Sequence, residues 1–207
     1  MTINYSVQAD VIDIRTDTPG PLDEFLVDTN VWYWMTYTRA SLGPYPPHRT
    51  QLTDYPNYIK QALGNNSRLR FCGLTLAELI HLIEKTEREI YSAGAGQIPP
   101  KEFRHNLPSQ RLNVVSETQS AWTQLTALAS SIDTHVNDAM ISAAVQRFQS
   151  EPLDGYDLFL LEAAKVAGVS KVITDDGDFS GVSGIQMFTK NQRVLAAAQT
   201  QGKLVVR

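Results

Sequence analysis

Short apolar runs that alternate with helical stretches constrain this chain more than any other feature. Phe25-Leu26-Val27, the stretch LRFCGL (69 to 74), KVIT (171 to 174) and IQMFT (185 to 189) each have the length and character of a buried strand. Helical patterns separate them. From Thr75 onward Leu76, Leu79, Ile80, Ile83 and Ile90 recur at helical spacing, and Thr75 with Glu78 fits a capping box. Further helical stretches are expected near 116 to 132, near 136 to 150, ahead of Gly168 and ahead of Gly202. Strands separated by helices need crossover connections, so the expectation is an α/β fold: a central, mainly parallel sheet with helices on both faces.

The remaining segments read as additions to that frame. Val7, Ala9 and Val11 alternate with polar residues and predict a short edge strand before the Pro19-Gly20-Pro21 break; KLVVR (203 to 207) predicts a last strand. Residues 36 to 58 are rich in Pro, Tyr and polar residues and read as irregular. A second polar loop opens at GAGQIPP and runs to about Pro108. The chain is therefore expected to be one domain over 1 to 207, with a basic Tyr/Pro-rich insertion at 36 to 68 and a loop and helical insertion at 92 to 150. Its 207 residues, 43% hydrophobic, suit that size.

Acids stand where the strands end. Asp28 directly follows Phe25-Leu26-Val27, and Asp175, Asp176 and Asp178 follow KVIT. In a parallel α/β sheet ligands bind at the carboxyl ends of strands. Two more acids open helices, Glu78 in TLAEL and Asp157 in LDGYDLFLLEAA; Leu160, Leu161 and Ala164 share the helix face of Asp157 and turn it toward the core. Gathered carboxylates repel one another and take up protons, a penalty that a hard divalent cation removes. With one cysteine, Cys72, and four scattered histidines, a thiolate or imidazole metal site has no ligand set here, and the remaining choice is an all-oxygen site for Mg²⁺ or Mn²⁺. Such sites serve phosphodiester hydrolysis.

Four pieces in order carry a resemblance: LVDTNV (26 to 31), TLAEL (75 to 79), DLFLLEAA (157 to 164) and ITDDGDF (173 to 179). Together they resemble the PIN-domain nucleases, including the ribonuclease toxins of toxin–antitoxin pairs. The resemblance implies a Rossmann-like PIN fold, a Mg²⁺ or Mn²⁺ cofactor and endonucleolytic cleavage of single-stranded RNA. It places Asp28, Glu78, Asp157 and Asp176 at the family's four catalytic, metal-holding positions and makes Asp178 a supporting metal ligand. Thr29 or Asn30, and Thr174, are expected to hold carboxylates or waters. Asp175 is an extra acid beside Asp176, which leaves the fourth ligand open between the two. An antitoxin protein and a homodimer are the partners that the resemblance suggests. The chain is longer than the compact toxins.

Each piece also has a plain structural reading. Asp28-Thr29-Asn30 can cap the next helix, Glu78 can belong to a solvated stripe with His81, Lys85 and Arg88, Asp154 and Asp157 suit a helix start, and TDDGDFSG can be a turn. Two other functions compete. One is a PIN-like nucleic-acid-binding module without turnover. The other is a phosphatase of the haloacid-dehalogenase type, which wants an acid where Asn30 stands.

Charge argues locally rather than globally. The net charge is −4, so overall attraction to nucleic acid or an anionic membrane is not expected. Within residues 36 to 70, however, Arg39, Arg49, Lys60, Arg68 and Arg70 face one acid, Asp54, and Tyr37, Tyr45, Tyr55 and Tyr58 are interleaved. Cations with aromatic faces suit an unstacked strand, so Arg39, Arg49, Tyr37 and Tyr45 are expected to bind RNA. No stretch has the length and apolarity of a membrane span or the layout of a signal peptide, and a cytoplasmic location is expected.

Overall fold

The structure is a computed structural model that describes residues 3 to 207. Along the chain run β1 (Asp10–Asp13), β2 (Glu24–Val27), α1 (Thr29–Thr36), α2 (Gln51–Gly64), β3 (Arg68–Cys72) and α3 (Leu74–Ala95). Then follow α4 (Pro100–Asn106), α5 (Pro108–Leu128), β4 (Ser130–Ile132), α6 (Asp138–Ser150), α7 (Gly155–Val166), β5 (Lys171–Ile173), β6 (Gln186–Thr189) and α8 (Gln192–Thr200). A 3-10 turn spans Gly177–Gly181.

The six strands form one sheet in the order β1-β6-β5-β2-β3-β4, and every pairing is parallel. Because side chains alternate along a strand, each strand feeds two cores. Phe25, Val27, Leu69, Phe71, Ile173 and Phe188 enter the layer shared with α1, α2, α4 and α5. Leu26, Cys72, Val172 and Met187 enter the layer beneath α6, α7 and α8. The chain lays β3 and β4 on one side of β2 and then returns to place β5 on the other. The order therefore reverses between β2 and β5, and a crevice opens outside their carboxyl ends.

Several boundaries differ from the sequence expectation. Residues 36 to 58 do not stay irregular: α2 begins at Gln51 and continues through Pro56. Its buried positions, Tyr55, Tyr58, Ile59 and Ala62, do keep helical spacing, but two of the four are tyrosines. The polar loop before Pro108 holds α4, started by Pro100 at its first position. The expected helix at 116 to 132 instead runs from Pro108 to Leu128, and Ser130–Ile132 is the edge strand β4, too short and polar to show a period. Val7 and Ala9 precede β1, and KLVVR joins the sheet only through a bridge between Leu204 and Val11. The capping box at Thr75 does not form: Gly73 is the N-cap of α3, and Thr75 is buried inside the helix. Among the described residues no helix is long and apolar enough to cross a membrane.

Candidate acidic site

Asp28 follows the last residue of β2 and stands at the N-cap of α1, yet its side chain makes no cap hydrogen bond. Its Oδ2 instead accepts a hydrogen bond of 2.7 Å from Thr174 Oγ1, at the end of β5. The same hydroxyl accepts from the Asp176 backbone N–H at 2.9 Å, and Asp176 Oδ1 accepts from the Asp178 N–H at 2.9 Å. Thr174 thus joins the ends of the two central strands and aims the turn that follows β5 back toward Asp28. Glu78 comes from the first turns of α3. Asp157 is the third residue of α7, whose N-cap, Asp154, accepts from the Tyr156 and Asp157 N–H groups at 2.9 and 3.2 Å.

Burial and mutual repulsion dominate the electrostatics. Asp28 is only 1% exposed, and its carboxyl is pushed up to about 7, first by desolvation and then by the charge of Glu78; the Thr174 hydrogen bond opposes the rise. Asp157 goes up to about 9 through desolvation, then Asp28, Asp154, Asp176 and Glu78. Glu78 is raised by desolvation, then by Asp154 and Asp176. Asp176 rises through desolvation, then Asp154 and Asp175, and Asp178 through desolvation, then Asp176 and Asp154. No Lys, Arg or His is among the groups that set these five.

The remaining sequence candidates divide. Thr29 is buried, and its Oγ1 lies toward Glu78 without a hydrogen bond of ordinary geometry. Asn30 lines a neighbouring cavity with Trp34 and Tyr45. Asp175 turns away from the group: its Oδ1 accepts from Tyr55 Oη at 2.6 Å and its Oδ2 from Gln51 Nε2 at 2.5 Å. Of the two adjacent acids, Asp176 is the one gathered with Asp28.

The expected RNA contacts need correcting. Tyr37 is buried and donates to Glu87 Oε1 at 2.6 Å, so neither ring face is open to a base. Arg39 is taken by the same carboxylate at 2.7 Å, and Arg68 and Arg70 both pair with Glu24. Three of the five cations are thus engaged within the fold, by two carboxylates. Arg49 and Tyr45 stay on the surface.

Two residues were missed. Asp154 acts on Glu78, Asp157, Asp176 and Asp178 while it caps α7; its spacing of three from Asp157 was read only as a helix start. Tyr5 lies over Gly177 and feels Asp178 and Asp176, and nothing local in the sequence signals that approach.

The donor set fits a hard cation on two observations. Buried Asp28 and Asp157 and the half-buried Glu78 and Asp176 raise one another's proton affinity, and the buried Thr29 hydroxyl points at the Glu78 carboxylate. Among the described residues no group of three or more His, Cys, Asp or Glu side chains is arranged to hold a metal ion directly. Mg²⁺ commonly keeps several waters and takes only one or two carboxylates, which suits acids spread around a crevice.

No family model matches the chain, and none of the curated proteins compared with it matches. Among solved structures, a chain from the crystal structure of VapBC2 from Rickettsia felis bound to a DNA fragment from their promoter is similar. The similarity covers 80% of this chain and 98% of that one, at 12% identity and a TM-score of 0.49. A likeness this faint carries nothing about activity. The α/β assignment rests on the sheet itself.

Proposed function

We propose that this chain is a Mg²⁺- or Mn²⁺-dependent endoribonuclease that hydrolyses phosphodiester bonds in single-stranded RNA. The observation that supports it most is the group of carboxylates at the crevice between β2 and β5, which raise one another's proton affinity and have no cation of the protein among them. In this reading Asp28, Glu78, Asp157 and Asp176 surround the cation and serve catalysis, one or two of them binding it directly and the others through its waters, with Asp178 in support. A bound divalent cation would neutralise charge on the phosphate and make water a better nucleophile near neutral pH. Thr174 holds Asp28 in one orientation by its hydrogen bond. Asp154 adds a negative charge that sharpens the need for a cation. The resemblance in sequence extends the proposal to partners, an antitoxin protein over the acidic site and a second copy of the chain.

The test is cleavage of labelled single-stranded RNA by the purified protein in Mn²⁺, in Mg²⁺ and in EDTA, beside Asp28→Asn and Asp176→Asn. Cleavage that needs the metal and disappears in both variants is expected. Metal binding measured by calorimetry runs alongside. If the wild type binds metal but leaves RNA intact, the chain is a binding module; if it does neither, the metal reading fails.

A further inference from the structure

A cavity of about 240 Å³ is lined by residues of α1, the loop that follows it and α3. Asn30, two residues beyond Asp28, reaches it from one side. Lys85 reaches it from α3, two turns beyond Glu78 and on the same helix face. Its aromatic lining is Tyr33, Trp34 and Tyr45, and Glu89 is among its polar residues. Trp34 is held from behind by Tyr55, with ring centroids 5.4 Å apart. Tyr45, in contrast, is 89% exposed. A tyrosine left in water at the mouth of an aromatic cavity is poor packing; against a flat ligand it offers a large contact at small entropic cost.

The wall that carries Tyr45 is built in place. Tyr37 and Arg39, at the start of the loop, are both fastened to the buried Glu87 of α3. Further on, Gly43 lies against α3: a Cβ there would be in ordinary van der Waals contact, 3.4 Å from Thr86 Cγ2. The loop is therefore moored to the helix that supplies Glu78, which fixes the cavity relative to the acids.

We propose that this cavity takes one unstacked nucleobase of the RNA strand whose backbone lies at the acidic site. The base stacks on Tyr45 and Trp34, its polar edge meets Asn30 and Glu89, and Lys85 faces a flanking phosphate. The cavity is smaller than those that enclose drug-sized ligands, which suits a single ring system. Stacking of this kind tolerates any base, with the polar edge adding preference. The assignment rests on the nuclease reading for its substrate.

Tyr45→Ala and Tyr45→Phe separate the two claims, because Tyr45 is exposed and far from the core. The probe is a single-stranded RNA of roughly eight nucleotides, a length within the usual site sizes. Binding is followed by quenching of tryptophan fluorescence in EDTA at low salt, and cleavage is followed in Mn²⁺ with the same RNA. Tyr45→Ala is expected to weaken binding about five- to a hundredfold and to raise KM with kcat retained; Tyr45→Phe is expected to behave as wild type. An RNA with one abasic position next to the cleaved bond should reproduce the loss on wild type and add little on Tyr45→Ala. Quenching that depends on Tyr45, without cleavage by any protein, supports the cavity and removes the hydrolytic reading. Metal-dependent cleavage indifferent to Tyr45→Ala, or no quenching even by wild type, overturns the cavity and leaves hydrolysis standing.

Discussion

Replacing Asp157 by Asn should make the metal-free protein more stable, by an amount that grows with pH. Asp157 is 5% exposed, and its carboxyl is pushed up to about 9, while in the unfolded chain it titrates near 3.9. Between those values the folded state holds a proton that the unfolded chain has released. Stability is therefore fully present below about 4 and is lost as pH rises toward 9, at about 1.4 kcal/mol per pH unit for one group. At pH 7 the interval is roughly three units, which sets an upper bound of about 4 kcal/mol for this site. Competition with Asp28 for protons shares the cost between them. Asparagine has nearly the same shape and never ionises, so it escapes the penalty. Urea unfolding in EDTA at pH 5, 6, 7 and 8 measures the difference. The variant should be more stable by at most about 1.5 kcal/mol at pH 5 and by about 2 to 4 kcal/mol at pH 7. Adding Mn²⁺ should reverse the order, because only wild type gains from binding. A gap that stays constant with pH, or a variant destabilised most at pH 8, would refute the electrostatic reasoning.

Other perturbations probe separate parts of the same picture. Asp175→Asn should keep metal affinity by calorimetry while it loses about 1 to 3 kcal/mol of stability from its bonds to Tyr55 and Gln51, whereas Asp176→Asn should lose the metal. Gly177→Ala puts a Cβ 2.2 Å from Tyr5 Oη, so it should destabilise by about 1 to 3 kcal/mol, and Tyr5→Ala in the same chain should recover most of that loss in a thermal melt. Arg207 donates to both Asp17 and Asp23 and lies over the Phe188 ring at 4.5 Å; Arg207→Ala should cost about 3 to 5 kcal/mol and lower Tm by roughly 10 °C. Because Arg207 and Lys171 hold Asp23 well below the usual carboxylate range, that stabilisation should be present at neutral pH and fade as acid protonates Asp23, which acid unfolding of the two proteins will show.

What could be read in the sequence follows from how local each signal is. Strand, acid and helix lie within ten residues around Asp28, so the strand-end carboxylate was legible before any fold was known. The parallel sheet followed from alternation of period alone. The capping explanation for Asp28 was equally local and fails for a distant reason, the Thr174 hydroxyl 146 positions away. Helix α2 was hidden because half of its buried face is tyrosine and Pro56 stands inside it. Composition counted Arg39, Arg68 and Arg70 as available cations, since their partners Glu87 and Glu24 are brought to them only by folding. Asp154 escaped notice because its cap role accounted for it, and nothing in a sequence says that one carboxylate does two things.

The mooring at Glu87 has a consequence for how such a chain can diversify. The acids hang from strand ends and helix starts, while Tyr45 hangs from a loop tied to Glu87 of α3. Drift in Gly43, Tyr45 or Pro47 can therefore change which base is admitted without disturbing a single carboxylate. On the proposed base-binding reading, loss of Glu87 would leave the acids in place and unfasten the side of the cavity that carries Tyr45.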